Sequence, residues 1–125
     1  MALKDIRILI VDDELFFRQV LREILEKIGF TVVAEATDGN DAVRKFREHR
    51  PHLTIMDIYM PDKNGIDATR EMITIDSNAK VLVCSASDYD CDTRAALDAG
   101  AKASLLKPFV PKEVFEGIKK VLTGK

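Results

Sequence analysis

The chain has 125 residues, of which 46% are hydrophobic and 32% are charged, so it can bury a core and is too apolar for a disordered protein. Its 19 basic and 21 acidic residues give a formal net charge of −2, which gives no reason to expect nucleic-acid binding. No apolar segment approaches membrane-spanning length and the N-terminus lacks a signal-peptide pattern, so we expect one cytoplasmic domain covering residues 1–125.

Five short apolar segments have the character of β-strands. They are Ile6–Val11, Thr31–Ala36, Leu53–Asp57, Lys80–Ser85 and Ala103–Lys107. Several are almost continuous in Val, Ile and Leu instead of alternating with polar residues, which is typical of strands buried on both faces. The segments therefore predict a parallel sheet covered on both sides.

A helical pattern follows each of these strands. The predicted helices are Leu15–Ile28, Asp41–His49, Ile66–Ile75, Asp92–Ala99 and a last helix that begins at Pro111. Gly29 is suited to end the first helix, and Asp38 is suited to cap the second. The strand–helix alternation predicts an α/β fold with right-handed crossovers and five helices on the two faces of the sheet.

The apolar positions of the helices indicate which faces contact the sheet. The first helix has a long apolar stripe made of Leu15, Phe16, Val20, Leu21, Ile24, Leu25 and Ile28. The fifth helix is expected to bury Val114, Phe115, Ile118, Val121 and Leu122. The fourth helix has Leu97 as its one large apolar residue, so we expect it to be weakly anchored.

Residues able to do chemistry stand where the predicted strands end. The first strand ends in Asp12 and Asp13, the third in Asp57, the fourth in Ser85 and the fifth in Lys107. Parallel strands bring their carboxyl ends to one edge of the sheet, where folds of this kind bind ligands. Crowded carboxylates need a cation between them, and an all-oxygen ligand set favours Mg²⁺.

A metal held by carboxylates beside an ammonium and a hydroxyl is suited to phosphoryl transfer. Asp57 is the best candidate for a nucleophile, because it stands alone at the end of the central strand, and attack on phosphorus would give an aspartyl phosphate. The pair Asp12 and Asp13 is better placed to hold the metal. Lys107 can contact the phosphoryl oxygens, and Ser85 can donate a hydrogen bond to them.

The combination of DD, MDIYMPDKNG, VCSAS and LLKPF resembles the receiver domains of two-component response regulators, over essentially the whole chain. The stretches VDDELFFR, MDIYMPDKNGIDA and GAKASLLKPF are similar to the stand-alone chemotaxis members. The resemblance implies a doubly wound, flavodoxin-like fold with strand order 2-1-3-4-5.

The same resemblance implies residue roles. Asp57 would accept phosphate from a phosphohistidine of a chemotaxis-type histidine kinase, and Asp12, Asp13, Asp57 and the backbone carbonyl of Tyr59 would bind Mg²⁺. Ser85 and Lys107 would contact the phosphoryl group, and the bond before Pro108 would be cis. The side chains of Tyr59 and Ser87 occupy positions that tune the lifetime of the phosphate. Pro61 and Gly65 are better explained by loop geometry.

The output implied by the resemblance is binding, by a monomer, through the face of the fourth helix, fifth strand and fifth helix. Partners of this face would be a flagellar motor switch protein or a phosphatase. One departure concerns the switch: Ser104 stands where the family usually carries an aromatic ring or His, so Ser85 with the loop Ala86–Asp90 would carry the switch alone. A second is Val110, at a position that is often a capping Thr or Ser.

Two other functions compete with this interpretation. A phosphorelay intermediate, which passes phosphate on to a histidine phosphotransfer domain, would use the same five residues. A small phosphatase with Asp57 as nucleophile usually carries a second Asp two residues later, and here that position is Tyr59. The chain is therefore expected to be a signalling receiver that catalyses only its own phosphorylation and dephosphorylation.

Overall fold

The structure is a computed structural model that describes residues 2–86 and 91–124. The strands are β1 (Arg7–Val11), β2 (Thr31–Ala36), β3 (Leu53–Asp57), β4 (Val81–Ser85) and β5 (Ala103–Leu106). The α-helices of the described residues are α1 (Leu15–Ile28), α2 (Gly39–His49), α3 (Gly65–Ile75), α4 (Cys91–Asp98) and α5 (Pro111–Thr123). A 3₁₀ helix at Leu3–Asp5 was not predicted.

All five strands are parallel and form one sheet in the order β2-β1-β3-β4-β5. The predicted α/β fold, its doubly wound sheet and its strand order are therefore confirmed. The predicted bounds of β1, β4 and β5 are wrong by one residue, and α2 begins two residues earlier than predicted. Ends of elements are the least determined part of a periodic pattern, because one more or one fewer residue leaves the pattern unchanged.

Both faces of the sheet are covered, which explains why the strands are almost continuously apolar. β3 and β4 are buried at every position. On one face Leu9, Met56 and Val83 pack with Phe46 of α2 and Met72 of α3. On the other face the buried set consists of Ile6, Ile8, Ile10, Leu21, Leu25, Phe30, Leu53, Ile55, Leu82, Cys84, Leu105, Val114, Ile118 and Val121. Within the described residues, no helix combines the length and the apolar character needed to cross a membrane.

The apolar stripe of α1 was predicted too long at its N-terminus. Leu21 and Leu25 are buried as expected, but Leu15 is 57% exposed and Phe16 is 66% exposed. Because α1 runs antiparallel to the strands, its first turn starts beyond the carboxyl edge of the sheet and has no sheet surface beneath it. The prediction that these two residues face the core is therefore wrong.

Two other exposed apolar side chains lie on α4 and α5. Leu97 of α4 is 37% exposed, and the buried residues of that helix are Thr93 and Ala96. Phe115 of α5 is 36% exposed and lies at the margin of the core, with its ring centre 6.4 Å from that of Phe30. Phe115 is therefore less buried than expected, and α4 is held mainly by small side chains, in line with the weak anchoring expected for it.

The helix ends follow the predicted capping chemistry. Gly29 ends α1 with a φ of 120°, and the side chain of Asp38 accepts a hydrogen bond from the backbone N–H of Asp41 at the start of α2. Val110 precedes α5 without a side-chain cap, and Pro111 occupies the first turn. Each of these signals is local in sequence, which is why the sequence predicts them.

Thr54 of β3 carries a buried hydroxyl that has no hydrogen-bond partner among the described residues. Thr54→Val keeps the shape of the side chain and removes the unpaired polar group, so we expect the free energy of unfolding to rise by about 1 kcal/mol. Urea unfolding monitored by circular dichroism measures this change. The matched control is Thr31→Val, because the Thr31 hydroxyl donates to the Lys4 carbonyl at 2.6 Å and its loss should lower stability. A Thr54→Val protein less stable than the wild type would contradict the prediction.

Candidate functional site

The carboxyl edge of the sheet brings together the residues that the sequence places at strand ends. Asp12 follows β1, Asp57 ends β3 and Ser85 ends β4, and all three are buried at 5% exposure or less. Lys107 follows β5, and its backbone N–H donates to the Ser85 carbonyl at 2.9 Å. Parallel pairing is the cause of this convergence, since Asp57 lies directly opposite Cys84, the residue before Ser85.

Asp12 is held by hydrogen bonds at each of its polar groups. Its backbone N–H donates to the Ala36 carbonyl at 3.1 Å, and its own carbonyl accepts from the Arg18 guanidinium at 2.7 Å. Its Oδ1 atom accepts from the Glu14 N–H at 2.9 Å, and its Oδ2 atom lies 2.8 Å from Lys107 Nζ. These contacts fix the orientation of the carboxylate before any ligand binds.

Lys107 is the cation that pairs with the acidic cluster. Its Nζ atom lies 3.4 Å from Asp57 Oδ1 in addition to its contact with Asp12, and its side chain is 10% exposed. Burial lowers the pKa of Lys107, but the hydrogen bond to Asp12 and the charge of Asp57 outweigh it, so the pKa is raised. The ammonium therefore stays protonated at neutral pH.

Burial and the charge of Asp12 raise the pKa of Asp57 to about 6, although the charge of Lys107 acts in the opposite direction. The raised pKa means that the folded protein stabilises the ionised carboxylate of Asp57 less well than water does, even with Lys107 beside it. Carboxylate oxygens of Asp12, Asp13 and Asp57 all lie within 4.8 Å of one another. Three carboxylates beside one ammonium leave two negative charges, which a divalent cation would neutralise.

This donor set fits Mg²⁺. It consists of carboxylate oxygens, the ligand type that Mg²⁺ prefers, and the exposed Asp13 leaves one side open to the waters that Mg²⁺ usually keeps. The cluster contains no Cys or His that would favour zinc. The chemistry of the donors thus agrees with the metal expected from the sequence.

Comparison with known proteins places this geometry in a family. The family model described as "Response regulator receiver domain" matches residues 8–119, which contain most of β1, every described element from α1 to β5, and most of α5. The chain belongs to the response regulator receiver family. Receivers are signalling modules, and this one is closely related to the chemotaxis protein CheY.

Several curated relatives carry the name chemotaxis protein CheY, and two of them show how similar they are. That of Thermotoga maritima is 48% identical over 115 residues, which are 92% of this chain and 96% of the relative. That of Bacillus subtilis is 47% identical over 116 residues, covering 93% of this chain and 97% of the relative. Among solved structures, a chain in the complex of CheX, CheY, BeF₃ and Mg²⁺ from Borrelia burgdorferi is similar with a TM-score of 0.87 and 32% identity, over 92% of this chain and 87% of that one.

A cavity of about 360 Å³ lies above Asp57 in this receiver and is lined by Glu14, Phe17, Tyr59, Ala86 and Pro108 together with Asp57 and Lys107. The Lys107–Pro108 peptide bond is cis. The cavity connects Asp57 to the solvent side of the carboxyl edge.

Of the remaining predicted site residues, Tyr59 lines this cavity and Ser104 lies elsewhere on β5. Tyr59 is 50% exposed, and its hydroxyl donates to Asp92 Oδ2 of α4 at 2.7 Å, a contact that the sequence did not indicate. Ser104 is exposed on β5 beside a groove of about 390 Å³ between β5 and α5. Ser87 lies outside the described residues, so its assigned role stays a prediction. Metal binding by the backbone carbonyl of Tyr59 also stays a prediction.

Sequence reasoning missed two side chains that support the site. Arg18 of α1 joins Glu35 of β2 to the Asp12 carbonyl, with its Nε atom 3.0 Å from Glu35 Oε1. Phe17 lies against Lys107, with the ring centre 4.1 Å from Nζ. Helical periodicity could have indicated Arg18, because it lies one turn after Glu14. No local pattern predicts which aromatic ring contacts Lys107.

Proposed function

We propose that this receiver accepts a phosphoryl group on Asp57 from the phosphohistidine of a chemotaxis-type histidine kinase and that phosphorylation changes its binding to a downstream partner. The observation that carries the proposal is the convergence of Asp12, Asp13 and Asp57 within 4.8 Å, next to the ammonium of Lys107. The similarity to two CheY proteins supports the chemotaxis assignment.

In the proposed reaction, a carboxylate oxygen of Asp57 attacks phosphorus. The O–P bond forms while the P–N bond to the donor imidazole breaks, and the electron pair of that bond stays on the imidazole nitrogen. The Lys107 ammonium stabilises negative charge on the phosphoryl oxygens, and Ser85, at the end of the neighbouring strand, donates a hydrogen bond to them. Hydrolysis of the acyl phosphate by water then restores the Asp57 carboxylate.

Asp12, Asp13 and Asp57, with the backbone carbonyl of Tyr59, would hold Mg²⁺. When bound, the ion neutralises phosphoryl charge and offsets the repulsion among the three carboxylates. The chain's own contribution is to fix Asp12 through Arg18 and Glu14 and to exclude most solvent from Asp57.

The face formed by α4, β5 and α5 is proposed as the output surface, as the sequence suggested. It exposes Leu97, Leu106 and Phe115, one apolar side chain from each element. Tyr59 links this face to the site through its hydrogen bond to Asp92 in the first turn of α4. A flagellar motor switch protein or a phosphatase is the kind of partner proposed for it.

The test is intact mass spectrometry after incubation with acetyl phosphate and Mg²⁺. We expect one added phosphoryl group on the wild type and none on Asp57→Asn, because the amide cannot act as the nucleophile. EDTA should prevent the adduct, since the carboxylate cluster then stays unneutralised. Asp98→Asn, on the exposed surface of α4, is the matched control and should be phosphorylated like the wild type.

An adduct that persists in Asp57→Asn would place the acceptor elsewhere and contradict the proposal. The output is tested separately by measuring binding of the phosphorylated protein to a flagellar motor switch protein and to a histidine phosphotransfer domain. Rapid loss of the phosphate to the phosphotransfer domain, without binding to the switch protein, would favour the phosphorelay alternative.

A further inference from the structure

Phe17 contacts the candidate phosphoryl site without contributing an oxygen or a charge. The Nζ atom of Lys107 lies 4.1 Å from the centre of the Phe17 ring. An ammonium within roughly 6 Å of a ring centre is attracted by the negative face of the ring. The same nitrogen lies 2.8 Å from Asp12 Oδ2 and 3.4 Å from Asp57 Oδ1, so two carboxylates and one aromatic face surround it.

The ring of Phe17 is itself held in place by two neighbouring rings. Phe109 packs against it edge to face at 6.0 Å, and Phe16 does so at 5.3 Å. Phe109 follows Lys107 by two residues, so the rings join the start of α1 to the segment that carries Lys107. The ring position is therefore set by contacts on both sides of the site.

A lysine side chain needs neighbouring contacts to hold its ammonium at one position. Its ammonium is a point charge on a flexible four-carbon stem, whereas charge stabilisation in phosphoryl transfer depends on donors that are already in position. Asp12 and Asp57 attract Lys107 from one side of the cluster. The ring of Phe17 attracts the ammonium without occupying a carboxylate oxygen. The Lys107 side chain, which lies against this ring, is only 10% exposed.

We propose that Phe17 is a positioning residue for Lys107: its ring holds the ammonium beside Asp57, where the ammonium meets the incoming phosphoryl oxygens. This inference rests on the proposed phosphorylation of Asp57, because the consequence for rate is realised in that reaction. The contact of Lys107 with the ring does not depend on phosphorylation and can be observed in the unphosphorylated protein.

The first experiment needs no phosphorylation. An aromatic ring shifts the NMR signals of protons above its face upfield, so the Hε protons of Lys107, assigned by comparison with Lys107→Arg, should resonate upfield of their ordinary position. Phe17→Leu should abolish this shift and Phe17→Tyr should keep it. Phe115→Leu is the matched control, because its ring packs against Phe30 and contacts neither Phe17 nor Lys107 among the described ring contacts, so the shift should stay in place.

The second experiment measures phosphorylation by acetyl phosphate as a function of donor concentration. Phe17→Leu should lower the maximal rate about two- to fivefold, the loss expected for one cation–π contact, with the half-saturating donor concentration unchanged. Phe17→Tyr, which keeps the ring, should recover the rate to within about twofold of the wild type. If the substitutions acted only by disturbing the fold, Phe17→Leu and Phe17→Tyr would both lower the rate. Circular dichroism checks that each variant is folded.

The outcomes separate the two proposals. Failure of the wild type to be phosphorylated would refute the proposed function, while the NMR result would still decide the position of Lys107. A phosphorylated wild type with unshifted Lys107 protons would overturn the role of Phe17. Equal maximal rates for Phe17→Leu and the wild type, or equal losses in Phe17→Leu and Phe17→Tyr, would overturn it as well.

Discussion

Asp57→Asn is expected to stabilise the metal-free protein at pH 7.5, raising the free energy of unfolding by on the order of 2 kcal/mol. The reason is the same crowding that prepares the site for a cation. Burial and the charge of Asp12 raise the pKa of Asp57 from 3.8 to about 6, so the ionised form costs free energy in the folded state. An amide keeps the shape of the side chain and removes this cost.

The sign of the pH dependence follows from the two pKa values. Between about pH 4 and pH 6 the folded state binds more protons at Asp57 than the unfolded state, so the stability contributed by this residue falls as the pH rises through this window. Below the window Asp57 is neutral in both states and resembles Asn. The difference between the wild type and Asp57→Asn should therefore be small at pH 3.5 and reach its full size above about pH 6.

Urea unfolding in EDTA across pH 3.5 to pH 7.5 measures the difference, and titration with Mg²⁺ at pH 7.5 should reverse it. The ion stabilises a folded state that binds it, and Asp57→Asn lacks one of the proposed ligands. Asp98→Asn is the control, because that carboxylate is exposed and its substitution should change stability by less than about 0.5 kcal/mol. An Asp57→Asn protein no more stable than the wild type in EDTA at pH 7.5 would contradict the electrostatic explanation.

The sequence predicts most of the fold because its signals are local and agree with one another. The apolar segments, the cap at Asp38 and the stop at Gly29 each act within a few residues, and together they determine the strand–helix alternation. The errors fall where burial depends on distant parts of the chain. Leu15 and Phe16 fit the helical stripe of α1, but only the end of the sheet decides that nothing lies beneath them.

The candidate site shows the same limit. Asp12, Asp57 and Lys107 could be predicted to lie together, because parallel strands bring their ends to one edge. The contact of Tyr59 with Asp92 joins residues 33 positions apart, one after β3 and the other in the first turn of α4, and no local pattern encodes it. Side chains that orient the charged residues were missed for this reason, whereas the charged residues themselves were found.

Gly65→Ala is expected to destabilise the protein by about 3 kcal/mol and to reduce phosphorylation of Asp57 at the same time. A Cβ atom at Gly65 would lie 2.1 Å from the carbonyl oxygen of Asp57 and 2.9 Å from the Cα atom of Ile58, and both neighbours are backbone. The direction of a Cβ atom is fixed by the backbone, so no rotamer relieves the overlap. The Gly65 N–H also donates to the Ile58 carbonyl at 2.8 Å, which holds the two segments together.

This substitution couples stability to chemistry, because the backbone that must move carries the proposed phosphate acceptor. The matched control is Gly117→Ala in α5, where the nearest neighbour of a new Cβ is Leu105 Cδ2 at 3.1 Å, the end of a side chain that can shift. Alanine also favours the helix there, so we expect a change in stability of less than about 1 kcal/mol and normal phosphorylation. Urea unfolding and the acetyl phosphate assay, applied to both variants, check this prediction. Equal stability of the two alanine variants would mean that the close approach of Gly65 to Asp57 does not hold the acceptor in place.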